Sequence, residues 1–222
     1  MSSQRHFGSN ATGRRDGGSL LHQQLKRETA RLHERLDARL GLFEPEFSMQ
    51  RYVRVLQIFY GFYAPVEARL VRLTAVGPPL GFPLRARSEL IERDLLVLGS
   101  SRRELAELSR CTNLPLLSSR EDMAGCLYVL EGACLGGQVI VPTLRQRLAV
   151  DKDSGASFFV GDADATSARW ILVLTWLDAL VRAGARSDEI AASACATFLA
   201  LARWVEEQGA SQEKRHGQSD RL

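Results

Sequence analysis

The stretch Ala124-Gly125-Cys126-Leu127-Tyr128-Val129-Leu130-Glu131-Gly132-Ala133-Cys134-Leu135-Gly136-Gly137-Gln138-Val139-Ile140 decides how this 222-residue chain is read. It lies in an apolar, helix-patterned run that Ser118 or Ser119 can cap and that reaches about Leu148. Glu121 and Asp122 suit the first turn of such a helix. Each interior glycine costs a helix roughly 1 kcal/mol relative to alanine, so four of them cost about 3 to 4 kcal/mol. That is on the order of a third of a typical domain's stability, and something should compensate. Gly125, Gly132 and Gly136 recur at steps of seven and four and therefore share a face. Along it the helix has no side chains, and a flat object can lie almost against the backbone. Gly136-Gly137 also lets the helix bend and leaves backbone groups free to face a ligand. Close helix–helix packing explains the same spacing equally well, since small-xxx-small contacts such as Gly132-x-x-x-Gly136 are common.

Outward from this segment the pattern stays helical. Leu21, Leu25, Leu32, Leu36 and Leu40 lie on one face of a first helix that Gly41 stops. Ser48 caps a second, through Tyr52 to Leu70, with a kink expected near Pro65. After the Val76–Pro83 loop come shorter helices near Ala86–Leu98 and Arg102–Cys111, and helices near Thr166–Arg182 and Ser187–Gln208 follow a loop at Asp151–Ala165. No alternating β-branched run or internal repeat stands out. The expectation is one all-α domain at residues 19–208, a helical bundle, between a flexible N-terminal tail (1–18) and a flexible C-terminal tail (209–222).

Composition narrows the function. Hydrophobic residues make up 45% and charged residues 25%, the balance of a globular chain with a core. A formal net charge of +3 argues against a dedicated nucleic-acid binder. No run reaches the roughly 20 apolar residues that span a bilayer, and Trp170–Val181, read as the most apolar segment, carries Asp178. The N-terminus lacks the apolar region of a secretory signal. Cys111, Cys126, Cys134 and Cys195 form no CxxC pair or metal spacing. A reducing cytoplasm is the expected setting.

Of the four histidines, His6 and His216 fall in the tails, leaving His22 and His33. A lone histidine at the margin of an apolar face is more often a boundary residue than a ligand. At His33, however, Asp37 lies four residues on, placed to orient the imidazole through its other nitrogen, as carboxylates do for metal-bound histidines. Lys26, seven residues earlier, shares that side and can meet an anionic group. An imidazole on one helix and a bare face on another suggest the two sides of a porphyrin plane.

Leu25-Lys26-Arg27-Glu28-Thr29-Ala30-Arg31-Leu32-His33 resembles the proximal-helix signature of heme oxygenases, and Tyr128 through Gln138 resembles their distal helix. Phe158-Phe159 and Arg169-Trp170 are similar to a segment of the bacterial branch that accompanies bacteriophytochromes. The resemblance runs from about Leu20 to Glu207. It implies a single-domain fold with heme between the two helices. His33 would be the axial iron ligand, Gly132, Gly136 and Gly137 the distal glycines that steer oxygen, and Lys26 a partner of a heme propionate. Arg169 is a looser candidate for the same job, and Thr29 packs beside the heme.

The implied reaction is oxidative cleavage of heme, both cofactor and substrate, to biliverdin, carbon monoxide and ferrous iron. Electrons would come from a ferredoxin, flavodoxin or reductase, because no nucleotide-binding motif is present, and a bacteriophytochrome would accept the biliverdin. The pattern departs at Ala133, where many members carry an aspartate that holds the proton-delivering water chain. Glu131 points about 160° away on a regular helix and is a poor substitute. Either ordered water on backbone groups delivers the proton, or activity is weakened or lost. A heme carrier or sensor without turnover is therefore the alternative, and a helical interaction module whose glycines serve packing is a third reading.

Overall fold

A computed structural model describes residues 19–75, 80–161 and 166–219, and among these every regular element is a helix. The N-terminal tail expected at 1–18 and the Val76–Pro79 part of the expected loop lie outside the described residues. The helices are α1 (Leu20–Leu40), α2 (Met49–Thr74), α3 (Arg87–Val97), α4 (Arg102–Glu107), α5 (Arg120–Leu148), α6 (Ser157–Val160), α7 (Thr166–Arg182) and α8 (Ser187–Ser219). The all-α expectation holds.

Local chemistry sets the boundaries. Ser19 accepts a hydrogen bond from the His22 amide at the start of α1, and Gly41 closes that helix with φ +60°. Ser48 caps α2, and reciprocal capping boxes start α4 (Ser101 with Glu104) and α5 (Ser119 with Asp122). α3 has no cap of its own from Ala86; the Glu67 carboxylate accepts from the Arg87 and Ser88 amides instead. Pro65 removes the amide that would bond the Gly61 carbonyl, and the Cys111 amide, at 2.9 Å, takes that carbonyl over. α2 thus stays helical through its proline.

Three boundaries differ from the expected ones. α4 ends at Glu107 rather than near Cys111. α8 runs on to Ser219 rather than ending near Gln208. α6 sits inside the stretch read as a loop: the buried Asp94 carboxylate accepts from the Ser157 and Phe158 amides, at 2.7 and 2.8 Å, and caps one turn from across the core. That turn places Phe158 and Phe159 against Tyr52, Phe59 and Tyr63, with ring centroids as close as 5.3 Å.

α5 is the central helix and packs chiefly against α8, then α6 and α7, while α1 lies along α8 and α2 along α3. α5 is also long and apolar enough, by length and composition, to cross a bilayer, contrary to the reading that no run qualifies. Its burial between helices accounts for that apolarity. Cys111, Cys126 and Cys195 are free thiols.

Candidate functional site

The glycines of α5 divide by what surrounds them. A Cβ on Gly125 would stand 2.4 Å from the Ile190 carbonyl oxygen, so glycine there lets α8 approach α5 backbone to backbone. A Cβ on Gly137 would collide with the Phe159 carbonyl oxygen at 1.8 Å, so this position serves the seating of α6. Gly132 and Gly136 are different. Added Cβ atoms would meet only the Trp170 ring at 3.6 Å and Ile140 Cδ1 at 3.8 Å, ordinary van der Waals distances. The fold has room for alanine at both, yet the helix carries glycine at a cost of roughly 1 kcal/mol each. Gly132, Gly136 and Val139 form one stripe on α5, and Val139 is 45% exposed. Packing explains Gly125 and Gly137; it does not explain Gly132 and Gly136.

α1 meets α5 where the buried Thr29 shares a hydrogen bond with the Tyr128 hydroxyl. Burial pushes that phenol up to about 12, so it keeps its proton at neutral pH. Thr29 also donates to the Leu25 carbonyl at 2.8 Å. From this junction Gly132 lies one turn along α5 and His33 one turn along α1. Tyr128 continues into an aromatic group with His22 and Trp170, at centroid separations of 5.3 to 6.2 Å, and the Trp170 ring closes over Gly132.

His33 is on the open side of α1, with 55% of its side chain exposed. Its Nδ1 stands 2.9 Å from Asp37 Oδ2, as the four-residue spacing implied, and its ring lies 5.7 Å from that of Phe198 on α8. The Asp37 hydrogen bond holds the imidazole above its ordinary range against the opposing effect of burial. With Nδ1 engaged by Asp37, Nε2 is the atom left to act as a ligand. Lys26 is exposed, one turn before Ala30 and two before His33.

Arg169 is where the structure departs from the expectation. Only 6% exposed, it is no surface partner for a propionate: its Nε donates to Glu131 Oε2 at 2.9 Å and its Nη2 to Glu131 Oε1. Arg87, likewise buried, adds a 3.4 Å contact to Glu131 Oε2. Burial raises the Glu131 carboxyl, but the Arg169 hydrogen bonds and the Arg87 charge outweigh it and hold the group below its usual range. Beside this cluster a cavity of about 290 Å³ opens between α2, α5 and the segment leading into α3, lined by Glu67, Leu70, Leu84, Arg87, Leu127 and Leu130. It lies on the α5 face away from Gly132. Sequence reading passed over Glu131 as a partner for Arg169 because nothing local links residues 38 apart.

The heme oxygenase family model aligns with residues 19–207 of this chain. The chain belongs to the heme oxygenase family. Solved heme oxygenases share its fold. That of Neisseria meningitidis, determined with NO and CO bound, superposes with a TM-score of 0.68 at 21% identity, covering 86% of this chain and 92% of its own. The Leptospira interrogans enzyme gives 0.67 at 20% identity over 85% of this chain and 100% of that one. Heme oxygenase-1 of the cyanobacterium Synechocystis, solved in complex with heme, gives 0.68 at 16% identity over 90% and 96%. A search of curated proteins finds no match. Within the family's frame, His33, Lys26, Thr29, Gly132, Gly136 and Gly137 fall on the two helices that the motifs predicted.

Proposed function

We propose that this chain degrades heme to biliverdin, carbon monoxide and ferrous iron, with dioxygen and electrons from a separate donor. The observation that carries the reading is the stripe at Gly132 and Gly136, where the fold has room for alanine and the helix keeps glycine. Bound heme supplies both the iron that activates dioxygen and the meso carbon that is attacked.

The chain's part is placement and proton control. His33, with Asp37 on Nδ1, would offer Nε2 to the metal with the loss of any proton there, and that hydrogen bond holds the ring from rotating. The absence of side chains at Gly132 and Gly136 would let a flat ring approach the α5 backbone, beside the Trp170 ring that stands over Gly132. Lys26 is the exposed cation on the His33 side of α1 and takes the propionate role; Arg169 is committed to Glu131. Ala133 brings no acid to the site, and Glu131 is ionised in its clamp. The hydroxyls of Tyr128 and Thr29, paired at the α1–α5 junction, are the polar groups beside the stripe that can order water for proton delivery. The electron donor would be a ferredoxin, flavodoxin or reductase, the setting the cytoplasm, and the acceptor of biliverdin a bacteriophytochrome.

The test is reduction of the hemin complex in air with ascorbate or reduced ferredoxin, for wild type and His33→Ala. Wild type is expected to lose its Soret band and gain biliverdin absorption, and His33→Ala to do neither. A complex that binds hemin through His33 and survives reduction would make the protein a heme carrier or sensor.

A further inference from the structure

Glu131 immediately precedes Gly132 on α5, and Arg169 immediately precedes Trp170 on α7. The two charged residues form a two-pronged buried ion pair, and the residues after them meet as glycine and indole, with the ring 3.6 Å from where a Gly132 Cβ would be. A paired fork of this kind fixes distance and angle together, unlike a single contact. We propose that Glu131 and Arg169 are positioning residues: their pair locks α7 onto α5 in the register that holds Trp170 over Gly132, and so sets how heme seats against the glycine stripe. This rests on the heme reading above.

Three observations support a positioning role. Burying Glu131, Arg169 and Arg87 is costly, and well-packed apolar residues of similar volume commonly stabilise a fold as much or more, so such clusters are best understood where they fix register. Beside the pair, Gly132 and Gly136 meet no backbone of another helix, and the Trp170 ring of α7 is what a Gly132 Cβ would meet first. Finally, Trp170 is held from both other sides, by His22 of α1 at 5.8 Å and Tyr128 of α5 at 5.3 Å, so a shift of α7 cannot be absorbed by the ring alone. Arg87 extends the clamp to the start of α3 and anchors the same carboxylate from a third element.

The experiment is ¹H NMR of the ferric hemin complex, whose heme-methyl signals report how the ring is seated, with the hemin dissociation rate measured in parallel. Wild type, Glu131→Gln, Trp170→Leu and Trp176→Leu are compared; Trp176 is also on α7 but stands against Phe82. Glu131→Gln and Trp170→Leu should each give displaced or doubled methyl signals and roughly tenfold faster hemin loss, the scale seen when groups that orient a ligand are removed. Trp176→Leu should match wild type. If Glu131→Gln does not fold, Trp170→Leu, which keeps the ion pair, still decides. Wild-type signals and rates in Glu131→Gln or in Trp170→Leu would overturn the proposal, as would an equal disturbance in Trp176→Leu. If wild type binds no hemin, the heme reading fails and this proposal falls with it; if wild type binds and the variants match it, only this proposal falls.

Discussion

A methyl group on Gly137 would meet the Phe159 carbonyl oxygen at 1.8 Å, whereas one on Gly136 would meet nothing nearer than Ile140 Cδ1 at 3.8 Å. The first contact is with backbone, which cannot swing aside, so α6 or α5 must move to admit it. Gly137→Ala and Gly125→Ala should each destabilise the ligand-free protein by about 2 kcal/mol or more, the usual range for overpacking. Gly132→Ala should instead stabilise it, by up to about 1 kcal/mol, because alanine is the better helix former and its methyl fits. Urea denaturation of the three variants checks the pattern. A loss of stability in Gly132→Ala would mean that this face is needed for packing. Spacing alone could not make the division, because the same small-xxx-small pattern serves both purposes; it takes the positions of Phe159 and Ile190, far along the chain, to tell them apart.

At the scale of elements, the Glu131 cluster ties α5 to α7 and to the start of α3, and its pH dependence follows from charge. Glu131 is held below its ordinary value near 4.5 in the folded state. Its contribution to stability is therefore fully present above the unfolded value and is lost as pH falls through the lower folded one. Glu131→Gln removes that contribution and leaves Arg169 and Arg87 facing a neutral group. It should cost about 3 to 5 kcal/mol at pH 7, the range for breaking a buried ion pair by removing one partner. Chemical denaturation from pH 7 to 3 should show the gap between wild type and variant narrowing below pH 4.5; a constant gap would contradict the account. Sequence reading gave Arg169 to a propionate because of its place in a familiar segment. Which anion a buried arginine meets depends on how two helices cross, and periodicity within either one carries no record of that. α6 was missed for a similar reason: four residues are too few to show a period, and its cap, Asp94, comes from α3.

For the whole molecule, the helix-rich fold was legible because α1, α2 and α5 each announce themselves by a local cap and an apolar face, from Ser19 and Gly41 around α1 to Ser119 at α5. At Pro65, where the sequence leads one to expect a kink, the hydrogen bond lost from the Gly61 carbonyl is replaced by one from Cys111, a contact that exists only once the chain has folded. The same holds for the site. His33 and Asp37 are local and were readable, while the Trp170 ring over Gly132, itself set against Tyr128 and His22, draws on α7, α5 and α1 together. The central claim is that α5 is kept bare at Gly136 for heme rather than for the fold. Gly136→Leu tests it most directly, with urea denaturation of the ligand-free protein and a hemin titration made on the same preparation. The account predicts a denaturation midpoint no lower than wild type, together with hemin affinity reduced at least about tenfold, a loss of 1.4 kcal/mol or more. Wild-type hemin binding in that variant would contradict it.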